Sequence, residues 1–431
     1  MSIELLTLLM FGGVLVLMLL GVPLGVSTGL IAAVFLIDPD NLRLLTLLTS
    51  RIYSFVNTYV LVSLPFFIFM ASLMDRSGIA QDLFDAMRSW GGRRPGGLAV
   101  ITTLAAVILA SMTGVIGGEI MLLGLIALPQ LLRLGYDEKL AIGVISAGGA
   151  LGSMIPPSIN LIIFALTANV SVGDLFVAAI VPGLLLAGAY AAYVLIRCHL
   201  DPSLGPPQTE ADLPLGEKLR QLRAVILPLA VGGLVLGSIY LGVAAVTEAA
   251  ALGALAMMLV TWWRGQLSLP VLWDVSLQTI RTSGIVLWLV FGAIALIGVY
   301  NFHGGTNFVK DAFLGADLSP VVLIGVMLLI WVVLGCFMEG TAICILTVPI
   351  FAPIVAALGY DLIWFGVMFA ITCQIGYMTP PLGTAAFYMK TVAPPHVTLE
   401  MIYRSYVPFV AIQILVLLLV WAVPQLAYYR T

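Results

Sequence analysis

Two pairs of consecutive prolines mark the places where this chain can do chemistry. They are Pro156-Pro157, within Gly152-Ser153-Met154-Ile155-Pro156-Pro157-Ser158, and Pro380-Pro381, within Gly376-Tyr377-Met378-Thr379-Pro380-Pro381-Leu382-Gly383. Each pair removes two backbone donors and drives the preceding residue out of helical geometry. The carbonyls upstream then lose their partners, and in an apolar medium they must find others. A dehydrated Na+, a hard cation that takes oxygen ligands, is one such partner. A kink closed by neighbouring helices and water is the alternative. Two further interruptions bring more oxygen: Thr113-Gly114-Val115-Ile116-Gly117-Gly118-Glu119, with Ser111 just before it, and Gly335-Cys336-Phe337-Met338-Glu339-Gly340-Thr341. Two double prolines, each paired with a broken segment rich in small and hydroxyl residues, favour the ion or substrate reading.

Three glutamates, Glu119, Glu248 and Glu339, interrupt apolar stretches. A charge at a bilayer centre costs about 2.5–3.5 kcal/mol on insertion scales, so such residues face the protein interior and have a role. Glu119 and Glu339 lie at the two interruptions, where they either neutralise a bound cation indirectly or cap a half-helix N-terminus. Glu248, in Val246-Thr247-Glu248-Ala249-Ala250, reads as part of a helix-start capping arrangement. Lys390 either pairs with a substrate carboxylate or snorkels from a helix end to the interface. Trp262-Trp263-Arg264 reads as an interfacial anchor. Cys198, Cys336, Cys344 and Cys373 form no CxxC pair and read as small buried apolar residues, and His199, His303 and His396 are too far apart for a metal site.

The elements that must position these residues follow from composition. Of 431 residues, 61% are hydrophobic and 9% charged, and the mean hydropathy is +1.14. A soluble domain carries about 25% charge. No water-soluble core accommodates so much apolar surface, so the bilayer is the main solvent and the chain is an all-α polytopic membrane protein. A net charge of −3 without a basic stripe excludes nucleic-acid binding. Met1-Ser2-Ile3-Glu4 lacks a basic leader region, so the first apolar run is expected to be a retained span. Helix candidates cover 4–21, 23–37, 55–74, 139–168, 176–196, 224–242, 243–263, 282–300, 362–389 and 403–426. The interrupted stretches 97–133 and 318–358 are either two full spans each or hairpins that meet at a tip and turn back. The polar stretch 197–223 is a linker.

A repeat chooses between these alternatives. Leu134-Gly135-Tyr136-Asp137 recurs as Leu358-Gly359-Tyr360-Asp361, 224 positions later, and at that offset Pro129 matches Pro353, Gly152 matches Gly376, Met154 matches Met378 and the proline pairs match each other. Pro182 matches Pro408 after a two-residue insertion. With both interrupted stretches as hairpins and the N-terminus outside, Arg76, Arg88, Arg93, Arg94, Arg133, Lys139, Arg197, Lys218, Arg220, Arg223, Arg264, Arg281, Lys390 and Arg404 fall on the cytoplasmic side. Only Arg43, Arg51, Lys310 and Arg430 fall outside, a bias of fourteen to four in the sense of the positive-inside rule. The repeats are therefore expected to be inverted, with one hairpin entering from each side and a site near the midplane between them.

Taken together, Pro156-Pro157-Ser158, Leu175-Phe176-Val177-Ala178-Ala179-Ile180-Val181-Pro182-Gly183, Thr247-Glu248-Ala249-Ala250, Gly335 to Thr341 and Thr379-Pro380-Pro381-Leu382-Gly383 are specific. Over nearly its whole length the chain resembles the large membrane subunit of tripartite ATP-independent periplasmic (TRAP) transporters. The resemblance implies an elevator-type fold with scaffold and transport domains in a bacterial cytoplasmic membrane, N-terminus periplasmic. It implies Na+-driven uptake of an organic acid, with Na+ as coupling ion and no other cofactor. It implies two partners, a small four-helix membrane subunit and a periplasmic substrate-binding protein. One sodium site would use Thr113, Val115, Gly152, Ile155 and Pro157; a second would use Thr341, Gly376 and Thr379. Ser111, Gly114, Glu119, Ser158, Glu339, Gly340, Gly383 and Lys390 remain substrate or hairpin candidates. Val115 departs from the family's frequent serine and offers only its carbonyl. Phe387 to Pro395 resembles the branch associated with 2-oxo acids and hydrophobic carboxylates. The expected division is 1–96 scaffold with a cytoplasmic arm, 97–175 transport, 176–281 scaffold, 282–402 transport and 403–431 a final helix. A self-contained Na+- or H+-coupled carboxylate carrier is the competing class; a membrane enzyme lacks a nucleophile–base pair or metal motif.

The charge pattern yields a direct test of orientation. A cysteine introduced in loop 134–138 is expected to react with an impermeant thiol reagent only from the cytoplasmic side, and one at 358–361 only from outside. Reaction of both from one side contradicts the inverted arrangement.

Overall fold

A computed structural model describes residues 1–36, 42–91, 94–114, 116–207, 216–217, 223–315 and 318–427, without the side chains of 42–44, 89, 223, 224 and 314. Arg93, Lys218, Arg220 and Arg430 of the charge pattern lie outside the described residues, as do the side chains of Arg43 and Arg223 and most of the linker. The secondary structure described is helical throughout. Seven described helices are long and apolar enough to cross a membrane, so the chain is a multi-pass membrane protein.

The first group of helices is α1 (Ile3–Leu19), α2 (Leu24–Leu36), α3 (Leu42–Val56), α4 (Ser63–Arg76) and α5 (Ile79–Gly91). Then come α6 (Gly97–Thr113), α7 (Ile116–Arg133), α8 (Glu138–Ala150), α9 (Ile159–Ala168) and α10 (Val172–Leu200). The middle holds α11 (Arg223–Tyr240), α12 (Val246–Trp263), α13 (Leu269–Phe302) and α14 (Gly305–Leu314). The chain ends with α15 (Pro320–Gly335), α16 (Gly340–Ala357), α17 (Leu362–Tyr377), α18 (Thr384–Val392) and α19 (Leu399–Ala422). Three helices fall outside the expected apolar runs. α3 and α5 are amphipathic, and α14 carries Asn307, Lys310 and Asp311. The run expected at 282–300 starts earlier, because Trp273, Asp274, Gln278 and Arg281 ride on the same helix α13. A hydropathy window finds helices that lipid surrounds and passes over those with one polar face. Glu248 caps α12 as expected, its carboxylate accepting from the Ala245 amide at 2.8 Å.

Both interrupted stretches are helix pairs. α6, α7, α15 and α16 have 17, 18, 16 and 18 residues. At ~1.5 Å per residue each is about 24–27 Å long against a ~30 Å hydrocarbon layer, and α7 and α16 are among the helices long and apolar enough to cross it. Both proline pairs break a helix in two, α8 from α9 and α17 from α18, and both Pro-Pro bonds are cis.

The Leu-Gly-Tyr-Asp repeat has a structural cause. Gly135 and Gly359 end α7 and α16 at φ 77° and 80°. The Gly135 and Tyr136 amides donate back to Leu132 and Leu131, and those of Gly359 and Tyr360 to Ala356 and Val355. This is the left-handed helix stop that glycine provides. Asp137 and Asp361 then cap the next helices, accepting from Leu140 at 2.9 Å and from Ile363 at 2.6 Å. The two copies lie at opposite ends of the bundle. Asp137 and Tyr136 bond with Leu204 and Leu98, whereas Asp361 lines a cavity of about 1040 Å³ with Tyr59, Asn169 and Tyr240.

The core is densest where the second helix pair meets the broken helices. Trp331 of α15 is fully buried, with ring centroids 4.6 Å from Phe365 and 4.9 Å from Phe369 of α17, and Phe369 lies 5.4 Å from Phe164 of α9. The Trp331 indole N–H donates to the Thr347 hydroxyl of α16 at 2.7 Å. All four cysteines are free and buried, as expected of small apolar residues.

Gly335 of α15 and Gly376 of α17 touch backbone to backbone. A Cβ on Gly376 would stand 2.6 Å from the Gly335 Cα. Gly376→Ala is expected to destabilise the protein by roughly 1–3 kcal/mol, because backbone cannot yield as a side chain can. Gly118→Ala, with open space at its Cβ position, is expected to gain up to about 1 kcal/mol from helix propensity. Thermal unfolding in detergent compares the two.

Candidate functional site

The first helix pair presents its tip to the first break. Thr113 ends α6, and Gly114 follows at φ 63°, a left-handed conformation suited to glycine. A Cβ on Gly114 would stand 2.2 Å from the Pro157 carbonyl oxygen. Glu119, in the first turn of α7, is fully buried. Its Oε1 accepts from the Thr113 hydroxyl and its Oε2 has no hydrogen-bond partner. The carboxyl group also lies against Gly152 of the first broken helix. A Cβ on Gly152 would lie within 2.5 Å of that carboxylate, so only glycine fits. Thr113, Gly114, Glu119, Gly152 and Pro157 therefore converge.

The neighbouring candidates behave differently. Ile155 is buried with its amide bonded to Leu151 at 2.8 Å. Ser158 is buried and donates to the Ser153 carbonyl at 2.6 Å. Ser111 turns away, donating to Ile108 at 2.7 Å and facing Gly232 of α11. Val115 lies outside the described residues.

The second helix pair reaches both breaks. Thr341, in the first turn of α16, donates to Asn160 Oδ1 on α9 at 3.0 Å, and Asn160 Nδ2 donates to the Tyr377 hydroxyl at 3.2 Å. Gly340 sits against this pair, with space for no Cβ: one would stand 2.1 Å from the Tyr377 oxygen. Thr379 donates to the Ile375 carbonyl of its own helix at 2.6 Å. Gly383, at the start of α18, lies against the Tyr377 and Thr379 carbonyls. Glu339 immediately precedes α16 with its side chain exposed. Lys390 points elsewhere, its ammonium donating to the Val397 carbonyl and, at 3.4 Å, to Pro395. The two breaks differ in exposure, with Pro156 to Ser158 buried and Pro380 to Leu382 exposed.

Asn160 and Tyr377 were not among the residues the sequence pointed to, and neither was Gln374, fully buried on α17 with both side-chain heteroatoms unpartnered. Asn160 had a signal. A lone carboxamide between Ile159 and Leu161, three residues beyond a proline pair, is costly to bury unless it has partners. Tyr377 had a weaker one, its place directly before Met378-Thr379-Pro380.

Three threonines share one property. The hydroxyl hydrogens of Thr113, Thr341 and Thr379 are directed to partners on the protein, which leaves oxygen lone pairs free beside the breaks. Oxygen-lined helix breaks of this kind suit a small hard cation. Among the described residues no three His, Cys, Asp or Glu side chains gather to hold a metal ion.

The profile of a family described as "Tripartite ATP-independent periplasmic transporter, DctM component" matches residues 11–426. The C4-dicarboxylate TRAP transporter large permease protein DctM of Pseudomonas aeruginosa is 30% identical over 405 residues, covering 94% of this chain and 92% of its own. The sialic acid TRAP transporter large permease protein SiaM of Vibrio cholerae is 28% identical over 414 residues, covering 96% and 95%. Among solved structures, the YdaH transporter of Alcanivorax borkumensis superposes with a TM-score of 0.62 at 18% identity, covering 91% and 90%. At that identity the likeness is one of fold.

The Thr113–Glu119 pair makes a local prediction. Thr113→Val removes a donor from a sealed carboxyl group and is expected to cost about 1–3 kcal/mol of stability. With Glu119→Met also present, the total loss of the double variant is expected to be smaller than the sum of the two single losses, because both partners leave together. Thermal unfolding of the two single variants and the double variant measures this.

Proposed function

The chain belongs to the DctM component family of tripartite ATP-independent periplasmic transporters, and from that premise we propose that it is the large permease subunit of a Na+-coupled importer of an organic acid. The observation that carries this reading is the seating of a helix-pair tip against each proline break, Gly114 on Pro157 and Gly340 on Tyr377 and Asn160. The chain acts as a transporter, not an enzyme, like the permeases it resembles. C4-dicarboxylates and sialic acid, named for two relatives, share a carboxylate, and an organic acid is the substrate class proposed here.

In this reading the two helix pairs are re-entrant hairpins of inverted repeats. The opposite ends occupied by the two Leu-Gly-Tyr-Asp turns support that arrangement. Thr113, the Val115 carbonyl, Gly152, Ile155 and Pro157 surround one Na+, and Thr341, Gly376 and Thr379 surround another. Glu119 sets a negative charge beside the first site without being required as a ligand. Substrate binds between the hairpin tips, and the unit that carries it moves as an elevator against a scaffold. Packing favours a mobile unit of both hairpins, both broken helices, α10 and α19, since α10 and α19 lie against α8 and α17. It favours a scaffold of α1, α2, α4, α12 and α13, which pack on one another. Relative to the division read from sequence, this moves α10 into the mobile unit and α13 out of it. The partners in this scheme are a periplasmic substrate-binding protein and a small four-helix membrane subunit, and the location is a bacterial cytoplasmic membrane with the N-terminus periplasmic.

Thr379→Val keeps shape and β-branching but deletes an oxygen whose lone pairs face the second break. Losing an ion ligand in a dry site costs about 1–3 kcal/mol. The Na+ concentration for half-maximal uptake, measured in liposomes with the small subunit and the binding protein, is therefore expected to rise roughly five- to hundredfold. Thr372→Val, two turns earlier on α17 with its hydroxyl bonded to Met368 at 2.7 Å, is the matched comparison and is expected to leave that concentration within about twofold. An unchanged Na+ response in a folded Thr379→Val protein removes Thr379 from the site.

A further inference from the structure

Asn160 joins the two halves of the molecule. It stands in the first turn of α9, three residues beyond Pro157, and is 6% exposed. Its partners Thr341 and Tyr377 lie 181 and 217 residues further along the chain. Both ends of its carboxamide are engaged, the oxygen by Thr341 and the nitrogen by Tyr377. The Gly340 backbone packs against the same Tyr377 oxygen. Any side chain at position 340 would collide with this network, a Cβ standing 2.7 Å from Asn160 Nδ2. The tip of the second hairpin thus rests on a side chain that the first break supplies.

The direction of each bond gives this contact a purpose. Asn160 Oδ1 takes the Thr341 hydroxyl hydrogen, so Thr341 turns lone pairs, not a hydrogen, toward the second break. Asn160 follows Pro157, whose carbonyl faces Gly114 of the first hairpin. A change in how the first break is filled therefore displaces Asn160, and with it the seat of the second hairpin. We propose that Asn160 is a positioning residue that latches the second hairpin to the first break, so that occupancy at the two breaks is cooperative. The cooperative part rests on the sodium reading above; the latch itself does not.

The chain carries its own reporter. Cys336, at the tip of the second hairpin, is 5% exposed and bonded to the Val332 carbonyl at 3.3 Å. Cys198 is buried near Gly96 and Gly205, away from the network. The experiment is alkylation of the full-length protein in liposomes by N-ethylmaleimide, read cysteine by cysteine through peptide mass spectrometry, with uptake measured across Na+ concentrations. Asn160→Ala is expected to speed reaction at Cys336 roughly five- to tenfold, the equivalent of one buried hydrogen bond, with Cys198 unchanged. The Na+ dependence of uptake is expected to become less steep, with the maximal rate at saturating Na+ kept within about twofold. Tyr377→Phe, which keeps the ring, is expected to act in the same direction, and the double variant to exceed neither single variant by much, since both break one network. A purely structural role for Asn160 would speed Cys198 as well and lower the maximal rate. Unchanged Cys336 reactivity together with unchanged steepness in a folded Asn160→Ala protein overturns the proposal. If Asn160→Ala does not fold, Tyr377→Phe carries both measurements. If wild-type uptake ignores Na+, the sodium reading falls, and the Cys336 arm still decides the latch.

Discussion

A carbonyl or amide freed inside hydrocarbon has no water to turn to, and each one left unanswered is costly. That constraint governs this molecule more than any single contact. The chain breaks two helices with double prolines, the first pair buried and the second exposed, and it answers each break with another piece of itself. The answer is a helix pair of 16 to 18 residues per arm, long enough to bring its tip to the break.

Close approach explains why glycine recurs where the tips meet the breaks. Gly114 approaches Pro157, Gly335 approaches Gly376, and Gly340 approaches Tyr377, each at a distance that a methyl group would close. The aromatic cluster of Trp331, Phe365, Phe369 and Phe164 holds the second pair against both broken helices. Packing of this kind transmits small displacements instead of absorbing them.

The two breaks follow one plan with different fittings. At the first, a buried glutamate bonds to the hairpin and lies against the broken helix, and the prolines are covered. At the second, Glu339 stands exposed beside the tip, and Pro380 to Leu382 are exposed as well. Lys390, the nearest base in sequence, turns to the carbonyls of the following loop. Both breaks keep a cis Pro-Pro bond, while the side chains around them differ in burial and partners.

Much of this was legible in the sequence, because the strongest signals are local or compositional. Hydropathy placed the chain in a bilayer, and glycine and proline at one fixed offset revealed the duplicated unit. The Leu-Gly-Tyr-Asp turn was readable because a left-handed glycine stop and an aspartate cap are each determined within a few residues. The amphipathic helices α3 and α5 were hidden because their polar faces dilute an apolar window. Asn160 and Tyr377 were only weakly marked, for a different reason. Their significance lies in which neighbour each meets, and those neighbours stand on other helices, for Asn160 181 and 217 positions away. The sequence by itself determined the solvent, the helix breaks and the duplication, since these depend on residue type and spacing along the chain. Only the tertiary structure decided which tip meets which break, that Ser111 and Lys390 face away, and that Thr341 gives its hydrogen to Asn160. Those outcomes depend on backbones meeting at contact distance, which chain spacing does not encode.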